Sequence, residues 1–148
     1  MKVIVVLIAL AAPSLALGQE WTAESCSAAL ERAYSPFSAR AGASTRGDFN
    51  SDGQVDFALL LDNPRTIVKT AIGVCLSKEP RPLLITAPYA TAKISTKPQG
   101  TTYSDRATGK KGTYERDAIS VSDTAGWASA SYVLRAGVFA RVVDGTEL

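Results

Sequence analysis

GDFNSDGQVDFALLL, residues 47–61, decides the fold. Its first part is an oxygen-rich loop and its second part is a run of side chains that must be buried. Counted from Asp48, side-chain oxygens fall at positions 1, 3, 5 and 9 on Asp48, Asn50, Asp52 and Asp56. Gly53 stands at position 6, where the chain has to turn sharply, and Gln54 offers its carbonyl at position 7. Calcium takes about six to eight hard oxygens, and this spacing wraps them around one ion. Three carboxylates this close also repel one another unless a cation lies among them. A calcium loop of the helix-flanked kind needs a bidentate Glu at position 12, and here position 12 is Leu59. Residues 55–61, VDFALLL, read as a buried strand. The loop therefore feeds a sheet.

Working outward, short β-branched or apolar runs at 66–76, 83–87, 92–96 and 114–122 are bounded by Pro, Gly and Asn and read as further strands. Asp62-Asn63-Pro64-Arg65 is the expected turn between the first two. Residues 131–134 and 138–143 flank Arg135-Ala136-Gly137, a hairpin signal with Gly in the turn. Tyr132, Leu134, Phe139 and Val143 are expected in the core. Residues 97–112, KPQGTTYSDRATGKKG, have almost no apolar content and read as a long exposed loop with room for one short strand. Before the acidic loop, residues 21–34 place Cys26, Ala29, Leu30, Ala33 and Tyr34 on one helical face, with Thr22 as cap and Pro36 as stop. The expectation is an α+β fold, an N-terminal helix packed on a mostly antiparallel sheet, in one domain spanning 19–148.

Residues 1–18 read as an export signal: Lys2, an apolar run of about ten residues from Val3, then Ala16-Leu17-Gly18 as a small-x-small cleavage site. That run falls short of the roughly twenty residues of a membrane span. Export gives the cysteines a meaning. Cys26 and Cys75 are the only two, and in an oxidising compartment they are expected to pair. The whole chain has 148 residues, 16 basic and 14 acidic, with a formal net charge of +2. That balance lacks the basic concentration of a nucleic-acid binder. There is no His, which removes Ser-His-Asp and Cys-His catalysis and His-ligated zinc.

The string GDFNSDGQVDFALL resembles the FG-GAP and VCBS-type calcium loops of secreted and cell-surface proteins, whose typical form is GDFNGDGxxDLxVL. The resemblance implies calcium bound by Asp48, Asn50, Asp52 and Asp56, in a structural role ahead of a core strand. Those loops usually repeat around a β-propeller, and this chain carries one copy, so a propeller is excluded. The C-terminal part is loosely similar to small exported bacterial proteins, some resembling periplasmic inhibitors or immunity proteins against cell-wall hydrolases.

The remaining candidates concern partners. Lys110 and Lys111 lie in the polar loop, where they either meet an acidic partner or remain solvated. Trp127 follows Gly126 and is read as a core side chain, with an exposed partner anchor as the second reading. Asp117 and Asp123 are not read as an acid/base pair. The function expected is an exported, calcium-stabilised, disulfide-linked protein-binding module, monomeric and non-enzymatic. The alternatives are an inhibitor or immunity protein against a wall hydrolase, inserting residues 97–112 into its cleft, and a small His-free calcium-dependent hydrolase or lyase.

Overall fold

The structure, a computed structural model, describes residues 20–65, 70–87 and 91–144. The expected signal segment and residues 66–69 of one expected strand lie outside the described residues. The chain runs α1 (Ala23–Ala33), β1 (Ser38–Gly47), β2 (Asp56–Asp62), β3 (Thr70–Cys75), β4 (Leu83–Thr86), β5 (Lys93–Lys97), β6 (Thr102–Ser104), β7 (Lys111–Thr113), β8 (Ala118–Ser122), β9 (Ser129–Arg135) and β10 (Val138–Val142). Two four-stranded antiparallel sheets form, in the orders β1-β2-β3-β4 and β10-β9-β8-β5, with β6-β7 as a separate two-stranded ribbon.

The expected α+β class is corrected by this count. The protein is mostly β, with 47% strand against 9% helix and several antiparallel sheets. Two causes account for the difference. Ser38–Gly47, SARAGASTRG, carries no large apolar side chain, yet it is a ten-residue strand. The loop expected at 97–112 folds back on itself as β6 and β7, with Thr102 opposite Thr113 and Ser104 opposite Lys111. Among the described residues α1 is the one helix; it is eleven residues long and buries only Cys26 and Leu30 fully. It is an attachment to the β structure and not a layer of its own.

Side-chain alternation assembles the core. Along β2, Ala58 and Leu60 join Ile72 and Val74 of β3, Ile119 and Val121 of β8, and Ala130, Tyr132 and Leu134 of β9 in one buried cluster between the two sheets. Leu59 and Leu61 point the other way and meet Ala71, Cys75, Cys26, Leu30 and Trp21. Both faces of β2 are buried over most of its length, which is why 57–61 reads as a continuous apolar run, whereas Val55, expected in the buried strand, precedes β2 and is exposed. The outer face of the second sheet is covered by the ribbon, through Tyr114, Ala118, Val133 and Val142 with Tyr103 and Ala140 beside them.

Three features lash these parts together. Cys26 of α1 and Cys75 of β3 form the expected disulfide, with Cα atoms 5.9 Å apart. The Trp21 indole N–H donates to the Leu76 carbonyl at 2.9 Å. At the edge where β1 runs beside β5, the Thr45 and Thr96 hydroxyls are 2.7 Å apart, and Arg40 makes a two-pronged contact with Asp62 while donating to the Thr91 carbonyl. Thr22 caps α1 as expected, accepting the Ser25 N–H. The β9–β10 turn is the expected hairpin, with Ala136 and Gly137 both at positive φ. Among the described residues, no helix is long and apolar enough to cross a membrane.

Candidate functional site

The acidic loop links the end of β1 to the start of β2, and its conformation is set by its own side chains. Ser51 and Gly53 take positive φ, which lets the backbone curl inward. The Asp48 carboxylate accepts the N–H groups of Asp52 and Gly53, both at 2.9 Å. The Asn50 side-chain oxygen accepts the Asp52 N–H at 3.1 Å, and Asp52 accepts the Gln54 N–H at 2.9 Å. This Asx-turn chain is what Asp and Asn side chains make in tight turns. Phe49 points down into the core between the sheets and is fully buried, so the loop is anchored from beneath.

Asp56 plays a different part from the other acids. It is fully buried. One of its oxygens accepts the N–H groups of Phe49 and Asn50 at 2.7 and 3.2 Å, and the other accepts the Ser77 N–H at 2.6 Å. It therefore ties the loop to the chain leaving β3. Burial pushes its carboxyl up from the ordinary value, and the three N–H groups pull against that rise.

Asp52 reaches the same place from above. Its second oxygen accepts the Ser77 hydroxyl at 2.8 Å and meets the Lys78 ammonium at 3.1 Å. Burial acts to raise its carboxyl, but the Ser77 hydroxyl, the Gln54 N–H and Lys78 together hold it below the ordinary value. The Asn50 amide N–H also points to the Ser77 hydroxyl at 3.3 Å. On the other flank, Asp117 at the entry to β8 accepts the Asp48 N–H at 3.0 Å and the Gln99 N–H at 2.9 Å, while Arg116 donates to the Asn50 carbonyl. A Cβ on Gly47 would sit 2.9 Å from this Asp117 carboxylate and 2.8 Å from the Phe49 ring, so the close approach needs glycine.

The sequence reading thus placed Asp48, Asn50, Asp52, Gln54 and Asp56 in one loop, and the structure adds Ser77, Lys78, Arg116 and Asp117 around it. These four lie 21 to 69 residues from the loop groups they bind, so no local spacing could have signalled them. Among the described residues, no group of three or more His, Cys, Asp and Glu side chains is arranged to hold a metal ion. The donor chemistry nevertheless fits a hard cation. An ionised carboxylate has about four lone-pair sites, so Asp48, Asp52 and Asp56 each keep acceptor capacity beyond the bonds above, as does the Asn50 oxygen. The Gln54 residue is exposed at the loop surface.

The partner candidates occupy separate connections. Lys110 is exposed at the end of the β6–β7 turn and Lys111 is exposed at the start of β7. Trp127 is 78% exposed on the β8–β9 turn, where its N–H is held by Asp123. It is not the core side chain of the first reading, because Gly126 at positive φ turns the chain outward just before it. Tyr132, Leu134 and Val143 are buried as expected, and Phe139 packs against the inter-sheet core.

No family model, curated protein or solved structure matches this chain.

Proposed function

We propose that the chain is an exported module that works by binding a protein, non-enzymatic, closed by one disulfide and stabilised by calcium held at the acidic loop. The observation that carries this reading is the state of the loop itself. Its backbone N–H groups already orient Asp48, Asn50 and Asp52, and a cation, the Lys78 ammonium, is already drawn to Asp52. Calcium would be held by Asp48, Asn50, Asp52, Asp56 and the Gln54 carbonyl. It would supply a divalent positive charge where three carboxylates meet one loop, and so strengthen the tie between the β1–β2 connection and the end of β3. The disulfide supports export, since such bonds persist in oxidising compartments. The FG-GAP and VCBS-like string supports the choice of calcium.

The test is thermal melting of the mature protein in calcium and in chelator. Extracellular sites of this kind bind with Kd near 10⁻⁴–10⁻³ M, so 10 mM calcium should stabilise by about 1.5–2.5 kcal/mol. For a chain of this size that is a rise of about 5–10 °C. Asp52→Asn should abolish the rise. Identical melting with calcium and with chelator would sink the metal reading.

A further inference from the structure

We infer that the turn of the β6–β7 hairpin is a rigid cationic tip that docks into an acidic cleft on a protein partner; this rests on reading the chain as a binding module and names the chemistry of what it binds.

The hairpin is fastened to the second sheet by its aromatic residues. Tyr103 lies over Gly112, where a Cβ would come within 2.7–3.1 Å of its phenol ring and hydroxyl. The Tyr103 ring also packs on Tyr114 with centroids 4.9 Å apart, and Tyr114 is buried in the outer cluster of that sheet. The turn is closed just as firmly. The Asp105 N–H donates to the Lys110 carbonyl and the Gly109 N–H to the Asp105 carbonyl, both at 2.7 Å, and the Arg106 N–H donates to the Val143 carbonyl at 2.8 Å.

Asp105 is the only acid between residues 98 and 114, and it is turned inward. It is buried, one oxygen accepting the N–H groups of Ala107 and Val143 and the other accepting the Thr108 hydroxyl at 2.6 Å. Arg106, Lys110 and Lys111 are all exposed. None of them is ion-paired with a described residue, the ion pairs there being Arg40–Asp62 and Lys78–Asp52. Arg135 adds a fourth cation nearby, its guanidinium donating to the Tyr103 hydroxyl at 3.2 Å. The Asp105 carboxylate is turned inward to hold the shape of the tip and still leaves it with an excess of positive charge. A presentation already rigid in the free protein loses little conformational freedom on binding, and a cluster of one sign steers an opposite one.

The composition of the tip selects the partner class. Between Arg106 and Lys110 stand Ala107, Thr108 and Gly109, which offer no large apolar side chain to enter a bilayer. The nearby aromatic rings, Tyr103 and Tyr114, are packed on each other and give no platform for bases. A carboxylate-lined protein cleft needs neither.

The experiment measures binding of the full mature protein to a fluorescent ten-residue oligoglutamate, with phosphatidylglycerol vesicles and a twenty-nucleotide single-stranded DNA as comparison arms. The expected result is tightest binding to oligoglutamate, lost at least tenfold in Arg106→Ala/Lys110→Ala/Lys111→Ala and kept in Arg32→Ala/Arg81→Ala/Lys93→Ala, which removes equal charge elsewhere. Asp105→Ala separates shape from charge. It makes the tip more positive, so charge alone predicts tighter binding; the proposal predicts binding at least threefold weaker. Thr108→Val, which removes one anchor of Asp105 and spares the rest, should weaken binding in the same direction and serves if Asp105→Ala does not fold. Tighter binding of vesicles or DNA overturns the proposal, as does equal loss in the two triple variants or tighter binding in the Asp105 or Thr108 variant. Calcium-insensitive melting would leave this result untouched, so the two readings fail separately.

Discussion

Leu30 of the helix occupies the space directly over Gly73 of β3: a Cβ built on Gly73 would lie 2.5 and 2.6 Å from the two Leu30 methyl groups. Leu30 sits in the cluster that includes the disulfide, and Gly73 lies on β3 two residues before Cys75, so the helix is seated at a fixed depth. Gly73→Ala should force Leu30 out of this seat and destabilise by about 1–3 kcal/mol. Leu30→Ala should cost about 2–5 kcal/mol through the cavity it leaves. In the double variant the new methyl partly fills that cavity, so urea unfolding should show a loss clearly smaller than the sum. Strict additivity would refute the contact.

Asp56 is predicted to matter more for folding than any other acid of the loop. Asp56→Ala leaves the N–H groups of Phe49, Asn50 and Ser77 without their acceptor in a buried place. Each such orphan costs about 1–3 kcal/mol, so a loss of about 3 kcal/mol or more is expected even in chelator. Equilibrium denaturation in chelator is the measurement, and a loss below about 1 kcal/mol would contradict the assignment.

Lys78 should act oppositely on calcium and on the bare fold. The Lys78–Asp52 pair is largely solvent-exposed on the lysine side, so Lys78→Gln should cost less than about 1 kcal/mol in chelator. On the calcium reading it removes a competitor for the Asp52 carboxylate, and calorimetric titration should show affinity several-fold tighter. Unchanged or weaker affinity would count against a shared site.

Alkaline pH should loosen the outer face of the second sheet. Burial first, then the Asp144 charge, push the Tyr114 phenol up to about 12, and burial also raises Tyr132. An unfolded tyrosine loses its proton near pH 10. Between these values the folded chain binds the more protons, so its stability is full below about pH 10 and falls as pH rises toward 12. The slope from Tyr114 alone approaches about 1.4 kcal/mol per pH unit. Denaturation midpoints between pH 9 and 11.5 should fall accordingly, and Tyr114→Phe should flatten the decline; an equal slope in that variant would refute it.

The disulfide should carry a large share of the stability. It closes a loop of 49 residues, worth about 3–4 kcal/mol in the chain-entropy treatment. Cys26→Ser/Cys75→Ser should lower the urea midpoint accordingly, with both serines placed in a site built for sulfur.

What could be read from the residues depended on whether burial was written locally. β2 was legible because both of its faces are covered, and α1 because Cys26 and Leu30 recur at helical spacing. β1 was not, because it is an edge strand with no fully buried residue, its side chains are Ser, Ala, Gly, Thr and Arg, and a register shift between Ala39 and Ser44 breaks any alternation. β6 and β7 were hidden for a related reason: three-residue strands show no period, and the Tyr103–Tyr114 contact that fastens them spans the turn. In the acidic loop the side chains that curl the backbone were visible as a spacing. Ser77 and Asp117, which hold the loop in place, were invisible because they belong to other strands' ends.

With two cysteines in the chain, one intramolecular pairing exists, and oxidative folding has no isomers to sort. Yet Cys26 lies 49 residues ahead of its partner. On the export reading proposed above, a chain threading through a membrane N-terminus first would present the first thiol alone until β3 followed. During that interval the only wrong partners are other molecules, so the yield of native protein should depend on how crowded the exit is rather than on any isomerase.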